Sequence, residues 1–528
     1  MLNTARAYRG MVTAPHHLAA QAGLDILREH GNAVEAMIAA AATIAVVYPH
    51  MNSIGGDSFW LIEVPGAEPI GIDACGATGA GVSRELYAQH GYSVIPSRGP
   101  LAANTVAGTL SGWAQAEKTS HMLGGHIPLD RLLSDAIHYA EIGIPVTTGQ
   151  QQLTDDKRHQ MDDAAGFHDL FMPGGEVPLA GSRFTNTALA ETLRLIAREG
   201  PQTFYNGSLS ARVAADLARA GIPLDGNDLA RHEALRVTPL SANTSTATLY
   251  NMPPPTQGVS SLQILALFDR MGVTQPETFA HIHALVEATK QAFVVRNAEV
   301  CDPNWMSRSA DALLAKSEID RMLTAIDMQH ARPWPEPTAP GDTIWMGATD
   351  RHGISVSFIQ SLYWEFGSGV VLEESGVNWQ NRGSRFTLDE SSYNALEPGR
   401  RPFHTLNPAL ARFHDGRVMP YGTMGGEGQP QTQAAVFSRY SLGQELQQAI
   451  TAPRWLLGKT WGEETTTLKL ESRFDGELLA ALESAGHDVE VVGAFSDAMG
   501  HAGAIVRHPD GLLEGATDPR SDGAVAAY

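Results

Sequence analysis

Residues 333–358 read PWPEPTAPGDTIWMGATDRHGISVSF, a proline-rich approach followed at once by an apolar run that Thr343 opens. Proline fixes φ and lacks an N–H donor, so the first part of this stretch is predicted to be an irregular connection. The second part is predicted to form two antiparallel strands about the polar turn DRHG. Two interpretations are open at this point. The stretch is an ordinary loop before a strand, or the chain is cut there and Thr343 becomes a new terminus.

A threonine at a chain terminus combines two reactive groups. Its hydroxyl is a weak nucleophile unless a base stands beside it. A free α-amino group has a pKa of about 7.7–8.0, so a useful fraction is unprotonated at neutral pH and accepts the hydroxyl proton. In the uncut precursor the same hydroxyl is placed to attack the preceding carbonyl, which would make Asp342–Thr343 a self-cleavage site. The plain alternative is that a β-branched residue begins a strand.

The composition excludes several classes of function. The 528 residues contain no apolar run of 18, so no membrane partner is predicted. The formal charge of −21, from 58 acidic and 37 basic residues, repels phosphate backbones, and no nucleic-acid partner is predicted. Only Cys75 and Cys301 occur, far apart, so neither a disulfide framework nor a cysteine metal site is expected. The first residues lack the pattern of a secretory signal, and a cytoplasmic location is predicted.

The hydrophobic periodicity predicts an α+β fold in which sheets are covered by helices. Residues 128–330 are predicted to be mostly helical, whereas the last third is rich in antiparallel hairpins. The individual elements predicted are helices over His16–Asn32 (with Gly31 as its stop), Ala33–Val47, Leu189–Arg198 and Phe279–Arg296, a strand in SFWLIEVPG, a rigid turn at Pro253–Gly258, hairpins about Asp415-Gly416 and Asp510-Gly511, and a helical block at Ala434–Ala452.

The chain resembles the γ-glutamyltransferase family along nearly its whole length. The resemblance implies the N-terminal-nucleophile (Ntn) hydrolase fold, a four-layer αββα sandwich. It also implies self-cleavage into a large chain, residues 1–342, and a small chain, residues 343–528, which stay together as one heterodimer or as a pair of heterodimers. The blocks that carry the resemblance are residues 11–60 with their IGG turn, NTVAGTLSGW (104–113), FYNG (204–207), NMPPPTQGVSSLQIL (251–265), RPFHTLNPAL (401–410), TMGGEG (423–428) and GATDPRSDGAVAAY (515–528).

The resemblance also implies roles for four residues. Thr343 falls where the family keeps its nucleophile, and Gly425-Gly426 falls where the family forms its oxyanion hole. Glycines allow backbone N–H groups to point at the charge that develops on the attacked carbonyl oxygen. Ser361 stands where the family usually has a second threonine, and its hydroxyl is expected to orient the Thr343 amine. Because these groups supply the reactive chemistry, no cofactor is predicted.

No metal is predicted either. His16-His17 and His281-x-His283 lack a third ligand at a metal-binding spacing, and no HExxH or CxxC motif occurs. Structural histidines with hydrogen-bond partners are the expected alternative.

The residues expected to contact substrate depart from the family pattern. In the family an arginine binds the α-carboxylate of the γ-glutamyl group and polar side chains bind its α-ammonium. Arginines at the ammonium positions would repel an ammonium group, whereas their fork-shaped donors suit a carboxylate. The alternative to substrate contact is that Arg382 and Arg385 form surface salt bridges and that Tyr363 packs in the core. The departing positions are Cys75 in place of the carboxylate-binding arginine, Tyr363, Arg382 and Arg385 at the ammonium positions, and His404 and Thr405 in place of paired serines.

These departures predict a small amide substrate whose acyl group carries a carboxylate but no α-amino group. The stretches TIWMG, SFIQSLY, NWQNRGS and RPFHTLNPAL resemble the branch of the family that hydrolyses oxamate to oxalate and ammonia in purine breakdown, which fits these departures, and a glutaryl-type acylase is also consistent. Two other functions are open: a γ-glutamyltransferase or glutathione hydrolase with a remodelled clamp, and an unprocessed binding protein without catalysis.

Overall fold

The computed structural model describes residues 2–334, 342–458 and 466–528. The proline-rich approach predicted to be irregular, residues 335–341, lies outside the described residues. The strands are β1 (Ala5–Ala7), β2 (Gly10–Ala14), β3 (Asp57–Glu63), β4 (Ile70–Ala74), β5 (Ile144–Pro145), β6 (Arg183–Phe184), β7 (Leu235–Val237), β8 (Leu240–Asn243), β9 (Ala247–Asn251), β10 (Asp342–Asp350), β11 (Ser355–Tyr363), β12 (Ala409–Phe413), β13 (Val418–Thr423), β14 (Trp455–Leu457), β15 (Leu468–Glu471), β16 (Val489–Val492), β17 (Ala502–Arg507), β18 (Leu513–Thr517) and β19 (Ala524–Ala527).

Helices flank these strands, and short 3₁₀ turns connect some of them. None of the described helices is long and apolar enough to cross a membrane. The helices are α1 (His17–Arg28), α2 (Ala33–Val47), α3 (Arg84–Gln89), α4 (Thr109–Met122), α5 (Leu129–Leu132), α6 (Ser134–Ile142), α7 (Thr148–Lys157), α8 (Phe167–Phe171), α9 (Thr187–Glu199), α10 (Thr203–Asn206), α11 (Ser208–Arg219), α12 (Gly226–Ala230), α13 (Gly258–Arg270), α14 (Phe279–Glu299), α15 (Ala310–Leu313), α16 (Lys316–Thr324), α17 (Gln429–Ser441), α18 (Leu446–Thr451) and α19 (Gly476–Ser484).

Two seven-stranded antiparallel sheets stack face to face. One sheet has the order β1-β18-β17-β13-β12-β9-β8, and the other has the order β19-β2-β10-β11-β3-β4-β7. Strands β10 and β11 of the second sheet contact β13 of the first, and β10 also contacts β17. Helices α1, α2 and α4 cover the outer face of the second sheet, while α13, α17 and α18 cover the first. This arrangement confirms the α+β, four-layer αββα architecture that the resemblance implied.

Trp345 fixes the position of β10 between the two sheets. Its ring lies over Gly422 of β13 and Gly503 of β17, where an added Cβ would come within 2.2 and 2.5 Å of ring atoms. Its indole N–H donates to the hydroxyl of Ser357 at 2.9 Å. Burying a tryptophan contributes about 4–6 kcal/mol at 25 cal/mol per Å². The two glycines therefore form a slot that fixes the strand opened by Thr343.

Several sequence predictions are confirmed. The helix Ala33–Val47 has the predicted bounds, because Asn32 and Glu35 form a capping box at its start and its small residues are buried throughout. The hairpins β10–β11, β12–β13 and β17–β18 turn where the polar and Asp-Gly dipeptides predict. The rigid turn before α13 contains a cis bond between Pro254 and Pro255.

Other predictions are wrong in detail. The first helix ends at Arg28, and the left-handed residue beyond it is His30 (φ 71°) rather than Gly31, whose N–H closes on the carbonyl of Ile26. The predicted block Ala434–Ala452 consists of two helices, α17 and α18, separated by Gly443 at φ 96°.

The prediction for residues 128–330 also missed strands. This region contains β7, β8 and β9, which extend the two sheets. They are three to five residues long, too short for an alternating pattern to stand out from the helical segments around them.

Candidate active site

Thr343 lies at an irregularity in the central hairpin. The register of β10 against β11 shifts by one residue between Asp342 and Ile344, so Thr343 faces two residues of β11 rather than one. A bulge of this kind leaves residues out of the ladder and re-aims side chains, and bulges are common beside active sites. The side chain of Thr343 is only 1% exposed in the uncut chain.

The hydroxyl of Thr343 contacts that of Ser361. Thr343 Oγ1 donates to Ser361 Oγ at 3.2 Å, and the backbone N–H of Tyr363 donates to the same oxygen at 2.8 Å. Tyr363 has a φ of 86°, a conformation that costs a non-glycine residue energy and that concentrates at functional sites. The structure thus brings Ser361 to the predicted nucleophile. The contact predicted between Ser361 and a free Thr343 amine stays a prediction.

Gly425 and Gly426 lie between the end of β13 and the start of α17. Both have positive φ values, 119° and 52°, which glycine adopts without a steric penalty. Gly426 begins a 3₁₀ turn that leads directly into α17, a helix of 13 residues. The positive end of the helix dipole therefore points at this loop, which suits a developing negative charge.

Arg382 is a buried cation without a carboxylate in ion-pair contact among the described residues. Its guanidinium donates to Thr405 Oγ1 at 2.7 Å and, at 3.4 Å, to the carbonyl of Phe403. Its Cζ lies 3.6 Å from the centre of the Tyr363 ring, and its Nε has no hydrogen-bond partner. Burial lowers the pKa of Arg382 to about 10. The group remains charged at neutral pH, and a bound anion would stabilise it.

Arg385 is in a different environment. It forms an ion pair with Glu427 at 3.3 Å, its side chain is 25% exposed, and its guanidinium lies 5.3 Å from the Phe403 ring. Burial is the largest influence and opposes its charge, but the carboxylate of Glu427 together with Tyr363 and Tyr393 outweighs burial and raises the pKa of Arg385. Its charge is therefore partly compensated by Glu427, a carboxylate that it shares with Arg296.

His404 is held by Asp57, a residue that sequence reasoning missed. The backbone N–H of Leu406 donates to His404 Nδ1 at 3.3 Å, so the ring proton resides on Nε2, which donates to Asp57 Oδ2 at 3.1 Å. Burial, together with the positive charges of Arg382 and Arg401, lowers the pKa of His404. His404 is therefore neutral, and its ring contacts a buried acid at the start of β3.

Asp57 accepts four hydrogen bonds although it is fully buried. Besides His404, the donors are the backbone N–H groups of Gly76 and Gly108 and the side-chain amide of Gln380, each at 3.1 Å. Burial raises the pKa of Asp57 to about 7, against these donors and the charge of nearby Arg382. A single acid directly after a glycine pair at the head of an apolar strand is the only signal in the sequence that marks it.

Cys75, which is predicted from the sequence to stand at the position of the family's carboxylate-binding arginine, lies between this buried cluster and a cavity. The cavity has a volume of about 490 Å³, and its lining includes Cys75, Asp73, Arg401 and His232. Thr343 does not line it. Burial raises the pKa of the Cys75 thiol well above its usual value, so the side chain is a neutral part of the wall.

Two groups of described residues have the ligand types and spacing for a metal ion: Asp57, Cys75 and His404, and His283, Glu287 and His487. Folding thus brings His283 the partners that its sequence neighbours did not offer. Hydrogen bonds within the protein occupy most of these atoms, however. His283 Nδ1 meets His487 Nε2 at 2.8 Å, and Glu287 pairs with Lys290 at 2.7 Å. In the first group Asp57 already has four donors and a neighbouring arginine, which favours a hydrogen-bonded cluster over a cation site.

Comparisons with known proteins agree with this architecture. Residues 19–528 match the gamma-glutamyltranspeptidase family. The oxamate amidohydrolase proenzyme of Klebsiella pneumoniae is 54% identical over 98% of each chain. The glutathione hydrolase-like YwrD proenzyme of Bacillus subtilis is 39% identical over 97% of each chain. The crystal structure of a cephalosporin acylase from Bacillus halodurans superposes with a TM-score of 0.92 at 34% identity, covering 100% of this chain and 97% of the other.

The match extends over almost the whole sequence, and the fold is the Ntn-hydrolase sandwich. The chain is accordingly an enzyme of the amidohydrolase type that acts on carbon–nitrogen bonds other than peptide bonds, and relatives made as proenzymes support autocatalytic processing. Over both sequence and structure, this chain belongs to the gamma-glutamyltranspeptidase family.

Proposed function

We propose that the chain cuts itself between Asp342 and Thr343 and then hydrolyses a small amide whose acyl group carries a carboxylate. Oxamate, which would yield oxalate and ammonia, is the favoured substrate. The observation that carries the proposal is Arg382, a fully buried arginine that forms no ion pair with a carboxylate of the described residues and packs on Tyr363, whose N–H binds Ser361. An unpaired buried charge is costly, and a substrate carboxylate removes that cost.

The reaction uses groups of the chain itself. Oγ1 of a terminal Thr343 attacks the amide carbon, and the α-amine of the same residue takes the hydroxyl proton. The N–H groups of Gly425 and Gly426 stabilise the negative charge on the carbonyl oxygen. The amine returns the proton to the leaving nitrogen, ammonia departs, and an ester to Thr343 remains. Water then attacks the ester with the same base, releasing the acid and restoring the hydroxyl.

The surroundings of Arg382 favour an acyl group without an ammonium. Tyr363 covers one face of its guanidinium, and Thr405 holds one edge. An α-ammonium placed against this cation in a desolvated site would be repelled by several kcal/mol. The buried Asp57 does not offer the ammonium a free counter-charge, because four donors already occupy its oxygens. The name of the relative from Klebsiella pneumoniae supports oxamate in particular.

The test is a parallel assay on the processed protein. Ammonia release from oxamate is measured beside glutamate release from glutathione, and hydrolysis of glutaryl-p-nitroanilide serves as a third, carboxylate-bearing probe. Preferred turnover of oxamate supports the proposal, and turnover of glutathione alone overturns the proposed substrate class.

Two variants test whether Arg382 binds the substrate carboxylate. Arg382→Met is expected to raise KM for oxamate at least about tenfold, because a charged hydrogen bond contributes about 1.5–3 kcal/mol. Arg439→Met is the matched control, since Arg439, which lies on α17, is equally buried but is ion-paired with Glu277. Equal KM values in the two variants would contradict the assignment of Arg382.

A further inference from the structure

Gln257 connects two parts of the candidate site that lie far apart in the sequence. It is fully buried and lies directly before α13. Its side-chain amide donates to the carbonyl of Thr405 at 2.9 Å and to the carbonyl of Gly426 at 2.8 Å. Its side-chain oxygen accepts from Arg296 at 3.0 Å. Both amide protons are therefore used, and the three partners fix the side chain in one orientation.

The bond to Gly426 acts on the predicted oxyanion hole. A glycine pair with positive φ has little intrinsic preference for one orientation of its peptide groups. Holding the Gly426 carbonyl fixes the peptide group between Gly426 and Glu427 and so restricts ψ of Gly426, the residue whose N–H is one of the proposed oxyanion donors. Arg296 secures the same turn from the other side, because its guanidinium pairs with Glu427 at 2.5 Å. Oxyanion stabilisation depends on donors that are already oriented before the charge develops.

The bond to Thr405 acts on the carboxylate contact. Thr405 presents its hydroxyl to Arg382, while its own carbonyl is held by Gln257. The main chain supports the same junction, because Gln257 N–H donates to the carbonyl of His404 at 2.9 Å. One side chain of the predicted large chain thus holds two loops of the predicted small chain.

We propose that Gln257 is a positioning residue. It orients both the oxyanion-hole loop at Gly426 and Thr405, the residue that holds the carboxylate-binding Arg382. The role of Gln257 at the carboxylate-binding arginine rests on the proposed function. Its role at the oxyanion-hole loop applies to any amide that the enzyme hydrolyses. Gln257 acts through Gly426 and Thr405.

The experiment compares Gln257→Met and Gln257→Glu with Gln263→Met. Methionine keeps the length of the side chain and removes its donors and acceptor. Glutamate keeps an acceptor for Arg296. It replaces the amide nitrogen that donates to both carbonyls by a carboxylate oxygen, which repels them. Gln263 is the matched control, since it is equally buried, lies on α13, and donates to a carbonyl outside the site, that of Leu313, at 2.9 Å. The backbone bond of Gln257 is unaffected by either change, which favours folding of both variants.

Values of kcat and KM are measured with oxamate and with glutaryl-p-nitroanilide on processed protein. Both Gln257 variants are expected to lower kcat on the two substrates by a similar factor, on the order of 10- to 100-fold, somewhat less than loss of an oxyanion donor. KM is expected to rise several-fold, and Gln263→Met is expected to stay within about twofold of wild type in both constants.

A kcat within about twofold of wild type in Gln257→Met, or an equal loss in Gln263→Met, overturns the proposal. So does failure of both Gln257 variants to mature while Gln263→Met matures, because the residue then serves folding or processing. If wild type hydrolyses neither carboxylate probe, the proposed substrate is wrong, and the kcat comparison is repeated with glutathione. Loss of kcat there supports the orientation of the oxyanion-hole loop, and an unchanged kcat overturns it.

Discussion

The hydroxyl of Thr343 donates to the hydroxyl of Ser361 at 3.2 Å across a bulge, where one residue of β10 faces two of β11. A regular ladder would continue the pairing of neighbouring residues through this point, with side chains alternating between the two faces of the sheet. The bulge instead places an extra residue in β11, so that Ser361 and Leu362 both face Thr343 and the Ser361 hydroxyl contacts the proposed nucleophile. The neighbouring strand thus sets the orientation of the proposed nucleophile before any cut.

Replacing Thr343 by alanine is expected to leave the chain whole. The substitution removes the only atom in the proposal that attacks the carbonyl of Asp342. Thr343→Ser should still mature, because it retains a hydroxyl. A denaturing gel followed over days, with N-terminal sequencing of the smaller fragment, measures both outcomes. A wild-type fragment that does not begin Thr-Ile-Trp would refute the assigned cleavage site.

Ser361→Ala is expected to reduce kcat by about 10- to 100-fold, less than the loss of a general acid or base, because Ser361 orients the nucleophile and does not itself transfer the proton. The change removes the partner of Thr343 Oγ1 and of the Tyr363 N–H. Ser357→Ala is the control, because Ser357 is a buried serine of the same strand that binds Trp345 instead. Steady-state kinetics on both variants, with folding checked to be equal, distinguish the two serines. Equal losses of kcat in Ser361→Ala and Ser357→Ala would argue against a special role for Ser361.

Arg385→Met is expected to change KM for a carboxylate substrate less than Arg382→Met. Arg385 already has Glu427 as a partner at 3.3 Å, whereas Arg382 has no carboxylate in contact among the described residues. The main effect of Arg385→Met should instead be a loss of stability, because the substitution removes one of the two arginines that pair with Glu427. KM and thermal unfolding measured on both variants test this, and a larger rise in KM for Arg385→Met would contradict it.

Asp57 is expected to make stability fall as pH rises from about 4 to about 7. In that window the unfolded chain has released this proton, whereas the buried carboxyl, with its pKa raised to about 7, still holds it. The cost is up to about 4 kcal/mol at 1.36 kcal/mol per pKa unit. The lowered pKa of His404 acts in the opposite direction, since the unfolded histidine binds protons below about 6.5 and the folded one does not.

Comparison with Asp57→Asn isolates the contribution of Asp57, because His404 is present in both proteins. Thermal or urea unfolding is followed between pH 4 and pH 8. Wild type is expected to lose stability relative to the variant as pH rises through this window and to run parallel to it above about pH 7. Parallel curves throughout would show that the pKa of Asp57 is not raised.

Gly422→Ala is expected to lower stability by about 1–3 kcal/mol, in the range of overpacked cores. A Cβ at Gly422 would lie 2.2 Å from the ring of Trp345, and that ring cannot easily shift because it is buried and also lies against Gly503. Gly476→Ala is the control, since a Cβ at that position meets nothing within 4 Å. Chemical denaturation measures the difference, and an unchanged midpoint for Gly422→Ala would mean that the slot is looser than described.

The sequence predicted local structure best where one short signal determines it. The Asp-Gly turns located two hairpins, and the small-residue helix Ala33–Val47 has a capping box at its start. It failed where geometry depends on distant partners. Strands β7–β9 form because strands distant in the sequence, β4 and β12, pair with β7 and β9, and no periodic pattern within such short segments reports those partners.

The candidate site shows the same division. Thr343, Ser361 and the glycine pair follow from motifs, and the structure brings the first two into contact. Asp57 and Gln257 were missed, because each looks like an ordinary polar residue beside glycines or prolines. Their roles exist only once the fold places backbone groups from remote segments around them.

The glycine slot that holds Trp345 has a consequence for maturation. A terminus created at Thr343 would begin two residues before a side chain packed between the two sheets, and β10 would remain paired with β11 from Ile344 and with β2 from Gly347. Cleavage of the Asp342–Thr343 peptide bond would therefore give the new first residue almost no additional freedom of motion. The precursor and the mature enzyme would differ at this point in chemical identity far more than in shape, so activation demands little rearrangement of the scaffold.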